Sequence, residues 1–297
     1  MNFKKGIITL FSIAALSFSI TGCGGGGGNS ISTPLESERV VIDENNNEQV
    51  LKTVFNVIEV GANPTLPLAK SVGETSVATS VLTQPAALKE IQSAVLVRSE
   101  AVANEPIICT DGGFITYTNT GMIFSDCNES GIVMDGTVTI SGNDTAASMT
   151  LSNFTMTLDS EIIFYESLTY SFTLNAEYEI DTMSIVMDGY TTIFGERTDY
   201  QNYTFTMSMD SLSVINFSVN GFIKTDCLGA WIEIRTTENI QINDIDPCPT
   251  AGQIIIGGND SSITIDFNSN GSVDVSGSVT DSYASCDDIP VGSCNLI

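Results

Sequence analysis

The chain has 297 residues, of which 10 are basic and 36 acidic, so its formal net charge is −26. This acidic balance argues against a nucleic-acid partner, because binding to phosphates depends on clustered Lys and Arg. The sequence contains no histidine, which excludes Ser-His and Cys-His catalysis and imidazole ligation of zinc. The hydrophobic content of 42% is that of a folded protein and argues against global disorder.

Residues 1–22 are typical of a secretory signal sequence. Lys4 and Lys5 precede an apolar run that is short for a permanent membrane span. The run ends in the letters ITGC at 20–23, which resemble the bacterial lipobox. By this resemblance, Cys23 receives the lipid and becomes the first residue of the mature chain. An ordinary signal peptide with a chance cysteine is the alternative.

A run of five glycines follows Cys23, and small polar residues come next. This composition is typical of flexible coil, so residues 23–36 are predicted to tether the folded part of the chain to the lipid. In bacterial lipoproteins, Asp directly after the lipidated Cys favours retention in the inner membrane. Gly24 stands at that position. The resemblance therefore implies an outer-membrane protein that faces the periplasm or the cell surface.

Six further cysteines suggest three disulfide bonds, because their number is even and the chain is predicted to be exported. They are Cys109, Cys127, Cys227, Cys248, Cys286 and Cys294. We favour pairing between sequence neighbours (the first with the second, the third with the fourth, the fifth with the sixth), since each such pair brackets a hairpin or short loop. Sequence alone leaves the other connectivities open. No Cys-x-x-Cys pair occurs, which argues against a zinc site.

Residues 37–104 are predicted to be helical, because their apolar residues recur at helical spacing. The positions are Val50, Leu51, Val54, Phe55 and Ile58 in a first helix, and Leu88, Ile91, Val95 and Val102 in a second. Asn45 and Gly61 are candidate caps of the first helix, and Pro85 is suited to open the second. Both apolar stripes are interpreted as packing surfaces rather than partner-binding faces.

From 105 to 297 the period changes to two, as in half-buried strands. The clearest alternation runs from Leu168 to Ile180, with Thr, Ser, Asn and Glu at the intervening positions. The predicted fold class is therefore α+β, mainly β, with N-terminal helices packed on a large antiparallel sheet that is curved or barrel-like. A chain of this length can bury one sizeable core.

The β region contains an internal repeat covering 132–160 and 185–211. IVMDGTVTI at 132–140 returns as IVMDGYTTI at 185–193, and FTMTLDS at 154–160 returns as FTMSMDS at 205–211. A period of about fifty residues also suits propeller blades, but a propeller needs at least four of them. Two copies favour a duplicated meander within one sheet.

One segment matches the front of a calcium-binding loop, D-x-N-x-N-G. The candidate ligands are Asp266, Asn268, Asn270 and Asp274. The twelfth position is Gly277 instead of Glu, and the flanks are predicted strands. A β-hairpin with a three-residue loop explains the pattern as well, and it would pair Phe267 with Val273. Asp266 would then face Asp274, where like charges repel unless a cation lies between them. We favour the hairpin, and predict no metal and no other cofactor.

Together with the lipobox and the glycine tether, three segments resemble uncharacterised β-rich lipoproteins of Gram-negative bacteria. They are the helix DENNNEQVLKTVFNVI, the Cys-bracketed hairpin CTDGGFITYTNTGMIFSDC and the strand VMDGTVTI. The resemblance covers most of the chain, but only the lipobox is specific. It implies a location in the cell envelope and no particular activity.

No nucleophile elbow, P-loop, dinucleotide fingerprint or zinc-protease motif occurs. Paired carboxylates alone could support a glycosidase, but no pair stands out, and we predict that the protein is not an enzyme. The leading hypothesis is a non-catalytic, lipid-anchored envelope protein that acts as a structural or binding module. One alternative is a carrier of lipid or another apolar ligand in a half-barrel groove. The other is cation-dependent surface adhesion. A covered apolar sheet face would favour structure or adhesion over the carrier.

Overall fold

The computed structural model describes residues 33–62, 106–129, 131–143, 146–159, 161–174, 180–193, 195–211, 214–243 and 248–289. Fourteen strands in these ranges form one antiparallel sheet, in which strand order equals chain order. The strands are β1 Pro106–Ile108, β2 Phe114–Thr118, β3 Gly121–Glu129, β4 Ile132–Gly142, β5 Ala146–Leu158, β6 Glu161–Leu174, β7 Ile180–Ile193, β8 Glu196–Ser211, β9 Val214–Thr225, β10 Trp231–Asn243, β11 Pro249–Gly257, β12 Ser262–Phe267, β13 Val273–Gly277 and β14 Asp281–Tyr283. Short 3₁₀ helices lie at Glu36–Glu38 and Cys286–Asp288.

The fold is mainly β, as the alternating pattern predicts, and the large antiparallel sheet is confirmed. Among the described strands, β1 pairs only with β2 and β14 only with β13, so the sheet is not closed. The barrel-like form of the prediction is therefore wrong. One α-helix is described, so the prediction of several packed helices is not supported. The second predicted helix, the signal sequence and Cys23 lie outside the described residues.

The helix, α1 (Asn47–Ala62), buries the stripe that its sequence predicts. Val50, Leu51, Val54 and Ile58 are at most 3% exposed, and the stripe is a packing surface. The ring of Phe55 meets that of Phe267 in β12 edge-on, with centroids 6.1 Å apart. The first turn does not begin at the predicted cap, Asn45, but at Asp43: the Asp43 carbonyl accepts from the Asn47 N–H at 3.0 Å, and the Asp43 carboxylate accepts from the Asn45 N–H at 2.8 Å.

Alternate side chains of the strands are buried on one side of the sheet, called here the inner face. Its largest fully buried side chains include Tyr165, Tyr203 and Phe154. Burying one large apolar side chain contributes roughly 1.5–3 kcal/mol, so this layer dominates the stability of the fold. Burial raises the pKa of Tyr200 to about 12, and it also raises the pKa values of Tyr165 and Tyr203 above the usual value. These phenols are neutral at physiological pH.

A row of β-bulges crosses the middle of the sheet. Register shifts occur at similar heights in the pairs β3–β4, β4–β5, β6–β7, β7–β8 and β8–β9. Asp126, Asn153 and Asn202 adopt left-handed backbone conformations at these points, with φ of 47°, 46° and 48°. Asn and Asp tolerate this region better than other non-glycine residues. Because each bulge bends its strand and increases the local twist, the row curves the sheet along one line.

The two copies of the sequence repeat lie in β4–β5 and in β7–β8 of this single sheet, as expected for a duplicated meander. Copies that are three strands apart in an antiparallel sheet run in opposite directions. Met134 and Met187 of the two copies are nevertheless both buried, so the copies present the same face to the core.

Candidate functional site

The segment that resembles a calcium loop forms the predicted hairpin between β12 and β13. Phe267 pairs with Val273, and Asp266 with Asp274, so the predicted register is confirmed. Gly271 takes a φ of 83°, a left-handed conformation that glycine adopts without steric cost. The three-residue loop follows from this glycine and from the apolar pairs that flank it.

The side-chain oxygens of this hairpin are engaged in hydrogen bonds within the protein. Asp274 accepts from the Ser282 hydroxyl at 2.7 Å and from the Asn268 amide at 2.8 Å, and these bonds lower the pKa of Asp274. Asp266 accepts from the Gln253 amide at 2.7 Å. Asp274 thus bonds towards β14 and Asp266 towards β11, an arrangement that supports the hairpin interpretation over the cation site.

Asn270 completes this local network. Its side-chain oxygen accepts from the backbone N–H of Ser272 at 3.1 Å and from the Ser272 hydroxyl at 2.8 Å. Such bonds from Asn to a backbone two residues on are typical of turns. The four predicted ligands are therefore neighbours along one hairpin, where their interactions stabilise the turn.

The disulfide connectivity differs from the prediction in two of three bonds. Cys109–Cys127 is confirmed. Cys248 bonds to Cys286, so the predicted Cys227–Cys248 and Cys286–Cys294 pairs are wrong. Cys227 is also disulfide-bonded. Proximity in sequence misleads here because strands β11 to β14 lie between the two cysteines in the chain. Cys248 directly precedes β11, and the 3₁₀ helix after β14 brings Cys286 back to it.

Two groups of cysteine and acidic side chains in the described ranges have potential metal-ligand atoms close together. They are Cys109, Cys127 and Glu129, and Cys248, Cys286 and Asp287. Both cysteine pairs are disulfides, whereas cysteine ligates metals as a thiolate. Glu129 instead accepts a hydrogen bond from the Thr110 N–H at 2.9 Å, and hydrogen bonding to Thr110 lowers its pKa. Both groups are therefore interpreted as structural disulfides with an acidic neighbour rather than as metal sites.

On the outer face of β4–β9, two rows of aligned, uncharged side chains, most of which carry a hydroxyl group, form a surface called here the hydroxyl face. One row consists of Thr139, Thr150, Thr169, Val186, Thr204 and Asn220, and the next of Ser141, Ser148, Ser171, Ser184, Thr206 and Ser218. Neighbouring hydroxyls bond across strands, as between Ser148 and Ser171 at 3.1 Å and between Thr206 and Ser218 at 2.6 Å. Every member is half-buried or exposed, and neither row contains a charge. This surface is neutral in a strongly acidic chain.

A second feature of the outer face is a pocket of about 590 Å³ beyond the hydroxyl face, over β10–β13. It is called here the strap pocket, because residues 36–42 lie beside it as a strap between the start of β10 and the β11–β12 turn. Its lining consists of Glu36, Arg39, Glu233, Arg235, Ile255, Gly257, Gly258, Asp260, Ser261, Ser262, Gly277 and Ser278. Charged groups, serine hydroxyls and glycines dominate the lining, so the pocket suits a polar ligand.

Backbone hydrogen bonds hold the strap on both sides. The Val40 N–H donates to the Trp231 carbonyl at 2.9 Å, and the Val40 carbonyl accepts from the Asn259 N–H at 2.7 Å. The Ile42 N–H donates to the Ser261 hydroxyl oxygen at 2.8 Å. A Cβ at Gly258 would collide with the Val40 carbonyl, so the strap can lie this close to position 258 only because that residue is glycine. The strap is thus an integral wall of the pocket.

Arg39, in the lining of the pocket, is held in place by an ion pair and a ring contact. Its Nη1 donates to Glu233 Oε2 at 2.7 Å, and its guanidinium lies over the ring of Phe222, 5.1 Å from the centroid. The Arg39 side chain is 17% exposed, so the ion pair is partly shielded from water and is screened less than an exposed pair. Sequence reasoning missed this site because Arg39 and Glu233 are 194 positions apart. The scarcity of arginine in the chain was the one available signal.

Among the described residues, no helix combines the length and apolarity that a membrane-spanning segment requires. Comparison with protein-family models, with curated proteins and with solved structures gave no match to this chain.

Proposed function

We propose that this protein is a non-catalytic, lipid-anchored module of the outer cell envelope that presents the outer face of its sheet for binding or structural contact. The proposal places lipid on Cys23, directly before the glycine tether. Two or more acyl chains on one cysteine suffice for stable anchoring. The membrane contact is therefore lipid-mediated, and the sheet stands away from the bilayer on the tether.

The observation that carries the proposal is the contrast between the two faces of the sheet. The inner face is filled: Ile185, Ile254 and Ile265, from three separate strands, are each 0% exposed. Such burial gives the carrier hypothesis no support, because a carrier needs an accessible apolar groove. The outer face, in contrast, offers the hydroxyl face and the strap pocket, both polar. A polar display surface suits a binding or structural role.

Lipid attachment can be tested by comparing the wild-type chain with Cys23→Ala. We expect the wild type to incorporate labelled fatty acid and to fractionate with membranes, and the variant to lose the label and become soluble. Cys109→Ala with Cys127→Ala is the matched control, because it removes cysteines outside the lipobox and should retain the label. Membrane association of Cys23→Ala without label would refute the anchor.

The outer-membrane location has a separate test at the next residue. By the sorting resemblance, Gly24→Asp should shift the lipidated protein to the inner-membrane fraction, whereas Gly24→Ser should leave it in the outer-membrane fraction. Equal distribution of the two variants on a density gradient would contradict the proposed location. It would leave lipid attachment itself unaffected.

A further inference from the structure

The strap pocket brings together two arginines, a residue type that is scarce elsewhere in the chain. The chain has only four arginines, and two of them, Arg39 and Arg235, line this one pocket. An arginine fork matches a carboxylate or phosphate bidentately. Two arginines in one pocket of an otherwise acidic protein therefore point to a ligand that carries an anionic group.

The two arginines have different roles. Arg39 is committed to Glu233 and to the face of Phe222, so it builds the pocket. Arg235 is exposed, and no hydrogen bond or ion pair to it occurs within the described ranges. It pairs with Ile255 across the β10–β11 ladder, which places it over the sheet inside the pocket. Arg235 is thus the cation available to a ligand.

The remaining lining restricts the class of ligand. The carboxylates of Glu36, Glu233 and Asp260 outnumber the two arginines, so a phosphate dianion would be repelled more strongly than a ligand with one negative charge that contacts Arg235. Carboxylates accept hydrogen bonds, and serine hydroxyls both donate and accept them. A ligand with a single negative charge and several hydroxyl groups satisfies both sets of partners.

We propose that the strap pocket binds a small acidic sugar, a uronic acid in chemical class, with its carboxylate on Arg235 and its hydroxyls on the acidic and serine side chains. This assigns a ligand to the binding role proposed above, but it does not depend on the lipid anchor. Among the described residues that line the pocket, none has an aromatic ring on which a sugar could stack. The charge contact to Arg235 therefore carries most of the selectivity.

The test is direct binding to the full chain, purified from membranes in detergent, by calorimetry or ligand-observed NMR. The probes are glucuronate, glucose and an α-amino acid. We expect saturable binding of glucuronate, weakened by added salt, and at least tenfold weaker binding of glucose, which lacks the carboxylate. Preference for glucose, or tighter binding of the amino acid, would overturn the assignment to an acidic sugar.

Variants separate the site from the general charge of the protein. Arg235→Gln should reduce glucuronate affinity at least tenfold. Arg235→Lys should retain part of it, because the charge remains without the fork. Lys224→Gln on β9, outside the pocket, removes the same charge and should bind like the wild type. Equal affinities of Arg235→Gln and Lys224→Gln, with both proteins folded by circular dichroism, would refute the site. Such a result would leave the fractionation of Cys23→Ala unchanged, so the two proposals fail independently.

Discussion

The carboxylate of Asp188 accepts a hydrogen bond from the backbone N–H of Asn202 at 2.6 Å, across the β7–β8 bulge. Its counterpart in the first repeat, Asp135, accepts from the N–H of Asp126 at 3.3 Å, across the β3–β4 bulge. Asp188 thus bonds to the strand that follows it and Asp135 to the strand that precedes it. The copies run in opposite directions but keep the same face outward. The Asp of the motif therefore bonds to the following strand in one copy and to the preceding strand in the other.

Loss of the Asp188 carboxylate should destabilise the bulge. We expect Asp188→Ala to lower the free energy of unfolding by about 1 kcal/mol, the usual contribution of one such hydrogen bond. Asp188→Asn should lose less, since its amide oxygen still accepts. Asp135→Ala is the control with the longer bond, and it should cost less than Asp188→Ala. Urea denaturation measures all three, and an Asp188→Ala midpoint equal to that of the wild type would contradict the assigned role.

Gly189 of the same motif should tolerate no side chain. Its φ is 151°, and an added Cβ would collide with the Phe164 carbonyl. Gly189→Ala should therefore destabilise the protein by roughly 1–3 kcal/mol. Gly195→Ala is the matched control, because Gly195 also has a positive φ, of 78°, but open space around it; about 1 kcal/mol is expected. Equal melting temperatures for the two variants would show that the contact between the added Cβ and the Phe164 carbonyl does not destabilise the protein.

The disulfide connectivity predicts a specific peptide map. Non-reducing digestion should link the peptides of Cys248 and Cys286 and those of Cys109 and Cys127. Cys227 is expected to be linked to Cys294, because Cys23 is assigned to the lipid. By loop-closure entropy, removing Cys248–Cys286 should cost about 4 kcal/mol and removing Cys109–Cys127 about 3 kcal/mol. A peptide that joins Cys227 to Cys248 would contradict the described fold.

Acid should weaken the β12–β14 hairpins through Asp274. Hydrogen bonds from Ser282 and Asn268 lower its folded-state pKa below 3.8. The resulting stabilisation is present above the unfolded pKa and is lost as pH falls through the folded one. Asp274→Asn should thus reduce the difference between the melting temperatures at pH 7 and pH 2. Calcium should leave the melting temperatures of both proteins unchanged, and a calcium-dependent rise that Asp274→Asn abolishes would restore the cation site.

Alkali should unfold the protein through its buried tyrosines. Burial raises the pKa of Tyr200 to about 12, above the unfolded value near 10. Its stabilising contribution is complete below pH 10 and is lost as pH rises through about 12. Tyrosinate absorbance should consequently rise together with loss of the β-sheet circular dichroism signal. Titration of all eight tyrosines near pH 10 with the sheet intact would contradict the described burial.

The sequence predicted those parts of the fold that depend on local alternation. Ile265, Phe267, Val273 and Val275 fixed the register of β12–β13, because a slip by one residue would turn every apolar side chain outward. The stripe on α1 was predictable for the same reason. The bulge row was not, since a bulge depends on which residue of a neighbouring strand lies opposite.

Contacts between distant segments escaped prediction altogether. The disulfide of Cys248 and Cys286, and the ion pair of Arg39 and Glu233, join residues whose proximity depends on the completed sheet. Each of these residues is ordinary in its own sequence context, so periodicity carries no signal for the pairing. The candidate calcium ligands, in contrast, were local, and their hairpin alternative could be weighed from sequence alone.

The order of the strands has a consequence for how the molecule forms. Because each strand pairs with the strand just before and after it, only short loops need to close, and such low contact order favours rapid folding. A chain that emerges N-terminus first can build its sheet hairpin by hairpin. The N-terminal segment is the exception: the strap and helix α1 emerge early, yet the strap must wait for β10 and the β11–β12 turn, and Phe55 must wait for Phe267 of β12. The first helix to be synthesised is therefore expected to dock among the last, and slow docking of α1 on a preformed sheet should limit the final folding phase.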